Sequence, residues 1–174
     1  CPICHREVSR RSVEDIVNEV MKLPLGSKLM LLAPLVQQKK GEFQHISEQY
    51  LQKGFSRVRV DGIVYALDEF PELEKQERHD IELVVDRFIL NPDLYSRISS
   101  SIEQALDLGQ GIIQLLKIND NNSTIEGKTN LNSKNTEIIS FSQRYACPYH
   151  PDELIPELEP RLFSFNAPFG SCPD

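Results

Sequence analysis

"SRVRVDGIVYAL", residues 56–67, is the stretch on which the fold of this chain turns. Arginine and valine alternate through Arg57, Val58, Arg59 and Val60, and a β-branched and aromatic run follows at Ile63, Val64 and Tyr65. Asp61-Gly62 stands between them. An Asp-Gly pair suits a two-residue type I′ turn because both central residues of that turn need positive φ. Two antiparallel strands therefore meet there. Side chains alternate across a strand, so Arg57 and Arg59 share one face and Val58 and Val60 the other. The expected strand is half-buried, with its arginines outward.

Working outward, Ser12 is an N-cap with Asp15 three residues on, and Val13, Ile16, Val17, Val20 and Met21 form an apolar helical stripe ended by Pro24 and Gly26. "KLMLLAPLV" (28–36) is a nearly unbroken apolar run of strand length, expected to be central and buried on both faces. Phe43, Ile46 and Tyr50 give helical spacing up to Gly54. "DEFPELEKQERH" (68–79) is polar and reads as a surface crossing, with His79, like His45, at the surface. "DIELVVDRFIL" (80–90) is a strand that Arg87 interrupts. Asn91-Pro92 then starts a helix running through Leu94, Ile98, Ile102, Ala105 and Leu106 to Gly109. Strands follow at 111–118 and 136–146. Between them, the Asn- and Ser-rich stretch 119–135 reads as a flexible excursion.

The expected architecture is an α/β (α+β) fold: a mixed sheet with a β-hairpin and about three helices, flanked by cysteine knuckles. The segments are an N-terminal knuckle at 1–11, a central domain at 12–142 and a C-terminal cysteine segment at 143–174.

Composition narrows the function. A net charge of −7 argues against a chain that coats nucleic acid indiscriminately. No apolar run approaches the roughly 18 residues of a membrane span. "EGKT" (126–129) lacks the glycine a phosphate loop needs at position 122, where Asn122 stands. Cys147 with His150, or Cys4 with His5, makes a poor nucleophile–base pair, because neighbours in one turn leave no separate group to orient the base. No active site is evident.

The four cysteines suggest metal more than disulfides. Cys1-Pro2-Ile3-Cys4 is one C-x2-C half-site for zinc, Cys147-x2-His150 a second, and Cys172 opens a third. Cys147, His150 and Cys172 then need a fourth ligand beyond the chain end. Alternatively, Cys1 and Cys4 join Cys147 and His150 on one ion. Plain turns with incidental cysteines are the competing reading.

Several stretches together resemble one family. They are "KLMLLAPLV" (28–36) with "KKGE" (39–42), "GFSRVRVDGIVYAL" (54–67), "DIELVVDRFILNPDLYSRISSSIEQALDLG" (80–109) and "ELEPRLFSFNAPFGSCPD" (157–174). The family is UvrA, the A subunit of the bacterial excision-repair nuclease, and the likeness runs from Cys1 to Asp174 apart from 119–135. It implies a piece lying between the Walker A loop and the signature segment of the first nucleotide-binding half. Residues from about 12 to 140 would be the inserted domain that docks UvrB, and the C-terminal stretch the start of a zinc-containing region cut before a cysteine at position 175. The family more often has Cys-x-x-Cys where this chain has Cys147-x-x-His150, and a lysine-rich stretch where this chain reads "ELEKQERH" (72–79).

The resemblance further implies a cytoplasmic parent ATPase, homodimeric on DNA, whose nucleotide motifs are absent here. The piece itself is expected to be non-enzymatic, with Arg57, Arg59 and Arg87 as partner-binding residues toward an acidic patch on UvrB. A zinc-knuckle nucleic-acid module and a structural spacer are the competing functions.

Overall fold

The computed structural model describes residues 11–118 and 137–143 in full, and the backbone alone at 124–125, 128–130, 146–147 and 150–154. Helices α1 (Val13–Met21), α2 (His45–Gln52) and α3 (Tyr95–Leu108) accompany strands β1 (Lys28–Lys40), β2 (Arg57–Val60), β3 (Ile63–Ala66), β4 (Arg78–Ile89), β5 (Ile112–Ile118), β6 (Thr124–Ile125), β7 (Lys128–Asn130) and β8 (Glu137–Ser142). These strands form one sheet in the order β6-β7-β3-β2-β4-β1-β5-β8. A separate two-stranded ribbon pairs β9 (Ala146–Cys147) with β10 (His150–Leu154).

Every described pairing is antiparallel, which corrects the expectation of a mixed sheet. The helices lie on one face instead of crossing over between parallel strands, so the arrangement is α+β. Strand pairs at β6 and β7 also fall inside the stretch expected to be an excursion, extending the sheet beside β3.

Local signals were obeyed closely. Ser12 accepts from the Asp15 N–H and the Asp15 side chain accepts from the Ser12 N–H, a complete capping box. Asp61 and Gly62 have φ of 49° and 89°, as a type I′ turn requires. Asn91 caps a 3₁₀ turn (Pro92–Leu94) that leads into α3. Pro34 is tolerated in a long central strand because the β1–β5 pairing runs only over Lys28–Leu32, and the β1–β4 register shifts just after Pro34.

Alternation along β1 sorts the core into two layers. Leu29, Leu31 and Ala33 pack with Ile16, Val17 and Val20 of α1 and with Ile98, Ile102 and Ala105 of α3. Met30 and Leu32 point the other way, into a smaller cluster with Val64, Val84 and Leu116. No described helix residue belongs to that second cluster. The second face of the sheet carries the arginines.

Candidate functional site

Cross-strand register builds the arginine face. Arg57 lies opposite Ala66, Arg59 opposite Val64 on one side and Glu82 on the other, and Arg87 opposite Met30. Val64 and Met30 both belong to the second cluster, so all three arginines share the face away from the helices.

Their surroundings differ. Arg57 and Arg87 are exposed. Arg59 is buried, and its Nη1 donates to Glu82 Oε1 at 2.9 Å. The expectation of outward arginines is corrected for Arg59: β2 is an interior strand, and β4 sets a carboxylate directly opposite. Burial pushes the Glu82 carboxyl up to about 7, against the pull of the Arg59 guanidinium. Gln114 Oε1 and Ser140 Oγ, cross-strand partners on this face, are also buried and have no hydrogen-bond partner among the described residues.

Asp86, the local carboxylate next to Arg87, is engaged elsewhere. It faces α3 and accepts from Arg97 Nε at 3.1 Å, Arg97 Nη2 at 2.7 Å and Ser101 Oγ at 2.9 Å. Burial raises its pKa, but these bonds and the Arg87 backbone N–H outweigh it and hold the carboxyl below its ordinary value. Among the described residues neither Arg57 nor Arg87 has an ion-pair partner. Partial burial, and then repulsion from Arg57, lower the pKa of Arg87. The two cations therefore feel each other across this face.

His79 is buried, not on the surface as expected. Its Nδ1 lies 2.7 Å from Asp61 Oδ2 and its Nε2 3.0 Å from the Glu74 carbonyl oxygen. Both partners carry acceptor oxygens, so both hydrogen bonds are made together when the ring is protonated, and they raise its pKa above the ordinary value. Asp61 Oδ1 also accepts from the Asp80 N–H, and Asp80 accepts from the backbone and side chain of Gln38. This network ties the hairpin tip to β4, to β1 and to the segment before β4. No periodicity signalled it; the polar run 68–79 masked a buried histidine.

Of the zinc candidates, Cys1, Cys4 and Cys172 lie outside the described residues. Cys147 and His150 are backbone partners across the β9–β10 ribbon. Among the described residues, no group of three or more His, Cys, Asp or Glu is placed to hold a metal ion. An open cleft of about 390 Å³ between α1 and α3 is lined by Val13, Glu103, Leu106, Asp107, Gln110, Gly111 and Gln143. Arg59, Glu82 and His79, each buried and ion-paired, are not among its lining residues. Among the described residues, no helix is long and apolar enough to cross a membrane.

The chain is an antiparallel α+β domain with helices on one sheet face and the exposed Arg57 and Arg87 on the other. Residues 11–120 match the model of the UvrA interaction domain, and the chain belongs to that family. It is similar over nearly all its length to UvrABC system protein A from several bacteria. Identity is 41% over 99% of this chain for Treponema pallidum, 39% over 99% for Thermus thermophilus and 42% over 99% for Lactococcus lactis. The chain spans only 17–18% of the length of those relatives.

Proposed function

We propose that this chain is the UvrB-docking portion of a damage-recognition ATPase in nucleotide excision repair, binding UvrB through its arginine-bearing face so that UvrB is loaded on damaged DNA. One observation carries the reading: Arg57 and Arg87 are exposed on the same sheet face with no carboxylate partner among the described residues. Two exposed guanidinium groups on one face present positive charge to an anionic partner, and arginine forks pair bidentately with carboxylates. Arg59 serves the same face differently. Its buried bond to Glu82 holds β2 and β4 in register beneath the exposed pair.

In this reading the chain recognises and does no chemistry of its own. ATP hydrolysis, DNA scanning and dimer formation belong to the longer protein, in the cytoplasm. There Cys147, His150 and Cys172 would hold zinc, with Cys1 and Cys4 as a second set.

Titration with UvrB at moderate salt, repeated with Arg57→Glu and Arg87→Glu, tests the proposal. Micromolar or tighter binding is expected, weakening as salt rises and lost in each variant, as for charge-steered docking. A folded chain that ignores UvrB, or binds DNA with steep salt dependence instead, overturns it.

A further inference from the structure

Four large apolar side chains stand more than two-fifths exposed among the described residues: Leu25, Leu51, Ile89 and Tyr95. Only Ile89 lies on a strand. It is 58% exposed and two residues beyond Arg87 on β4, hence on the same face. Register places Ile89 opposite Lys28, and Lys28 opposite Ile118 on its other side. The adjoining row runs Arg87, Met30, Leu116 and Ile138. Ile118 and Ile138 pack on the buried cluster of Met30 and Leu116. The apolar layer of this face thus continues to the level of Ile89, which stands in solvent.

A lone exposed isoleucine is ordinary on a protein surface. The neighbour makes this one different. Arg87 is exposed beside it on the same face and has no carboxylate partner among the described residues, so its guanidinium is open to an anionic partner. An apolar side chain one step along the strand is where water must be excluded if an ion pair to Arg87 is to be strong.

Resting on the docking reading above, we propose that Ile89 is the apolar anchor of the docking face: the acidic group of UvrB that pairs with Arg87 is bordered by an apolar side chain that seats on Ile89 and shields the ion pair. The surface recognised is therefore an acidic edge with an apolar flank, not acidic charge alone.

The test measures UvrB binding by the chain and its Ile89→Ala, Ile89→Ser, Arg87→Ala and Ile89→Ala/Arg87→Ala variants, each at low and high salt. Truncating a seated isoleucine should weaken binding roughly tenfold, mostly through faster dissociation. The loss should persist at high salt, whereas the effect of Arg87→Ala should shrink there. The double variant should lose less than the sum of the single losses, because the shield and the shielded pair act together. Thermal midpoints of the Ile89 variants should match the parent, since the side chain is exposed. Wild-type affinity in both Ile89 variants overturns the anchor, and additive losses overturn the shielding. If the parent chain binds no UvrB, the docking reading falls first and this inference with it.

Discussion

The imidazole of His79 donates to the carboxylate of Asp61 across 2.7 Å, joining the start of β4 to the tip of the β2–β3 hairpin. The second ring nitrogen holds the Glu74 carbonyl, so the segment between β3 and β4 is fastened at the same point. The bond to Asp61, followed by that to Glu74, raises the pKa of His79 above its ordinary 6.5. A folded-state pKa above the unfolded value means that this group stabilises the fold fully below pH 6.5 and loses its contribution as pH rises through the folded value. The thermal midpoint should therefore fall with rising pH above 6.5, and His79→Gln should flatten that fall. An unchanged slope in the variant would show that the clamp has no part in stability.

Glu82 acts in the same direction through another cause. Its carboxyl ionises at the ordinary 4.5 when unfolded but is pushed up to about 7 when buried beside Arg59. Between those values the folded chain binds the extra proton, so this group's contribution declines as pH rises through the window. Glu82→Gln should remove that slope. Glu82→Ala removes the carboxylate that Arg59 meets at 2.9 Å and should cost about 3–5 kcal/mol, as when one partner of a buried pair is removed. Denaturant unfolding at pH 5 and pH 8 measures both effects.

Two glycines should respond to alanine for opposite reasons. At Gly109, with φ of −86°, the backbone conformation suits any residue, but an added Cβ would sit 2.1 Å from the Ile112 carbonyl oxygen. Backbone must move, and Gly109→Ala should cost about 1–3 kcal/mol in the manner of overpacking. At Gly26 nothing lies within 4 Å, but φ is +83°. Gly26→Ala should cost about 1 kcal/mol from left-handed strain alone. Equal urea midpoints for Gly109→Ala and the parent would contradict the clash.

The helical layer offers a test of packing against capping. Ile98 of α3 is fully buried, and Ile98→Ala should cost about 2–5 kcal/mol through the cavity it leaves. Ser12→Ala removes one side of the capping box and should cost about 1 kcal/mol. Denaturant midpoints that reversed this order would place the stabilising weight at the helix end instead of the core.

Local chemistry was legible in the amino-acid order. Asp61-Gly62 demanded a tight turn, Ser12 with Asp15 demanded a helix start, and the run from Lys28 to Val36 announced a strand buried on both faces. Each of these depends on residues within a few positions of one another, so spacing and propensity suffice to specify it. That Arg57 and Arg59 share a face also followed from the two-residue period of a strand. What became of that face did not follow. Glu82 is 23 residues from Arg59, and only the placing of β4 beside β2 turned one arginine into half of a buried ion pair while Arg57 stayed in solvent. His79 was hidden for the same reason, its partner Asp61 being 18 residues away at the tip of the β2–β3 hairpin. Alternation along a strand tells which side chains travel together; which of them meets a carboxylate and which is left for a partner depends on strand order, a choice made by long-range packing of the whole sheet.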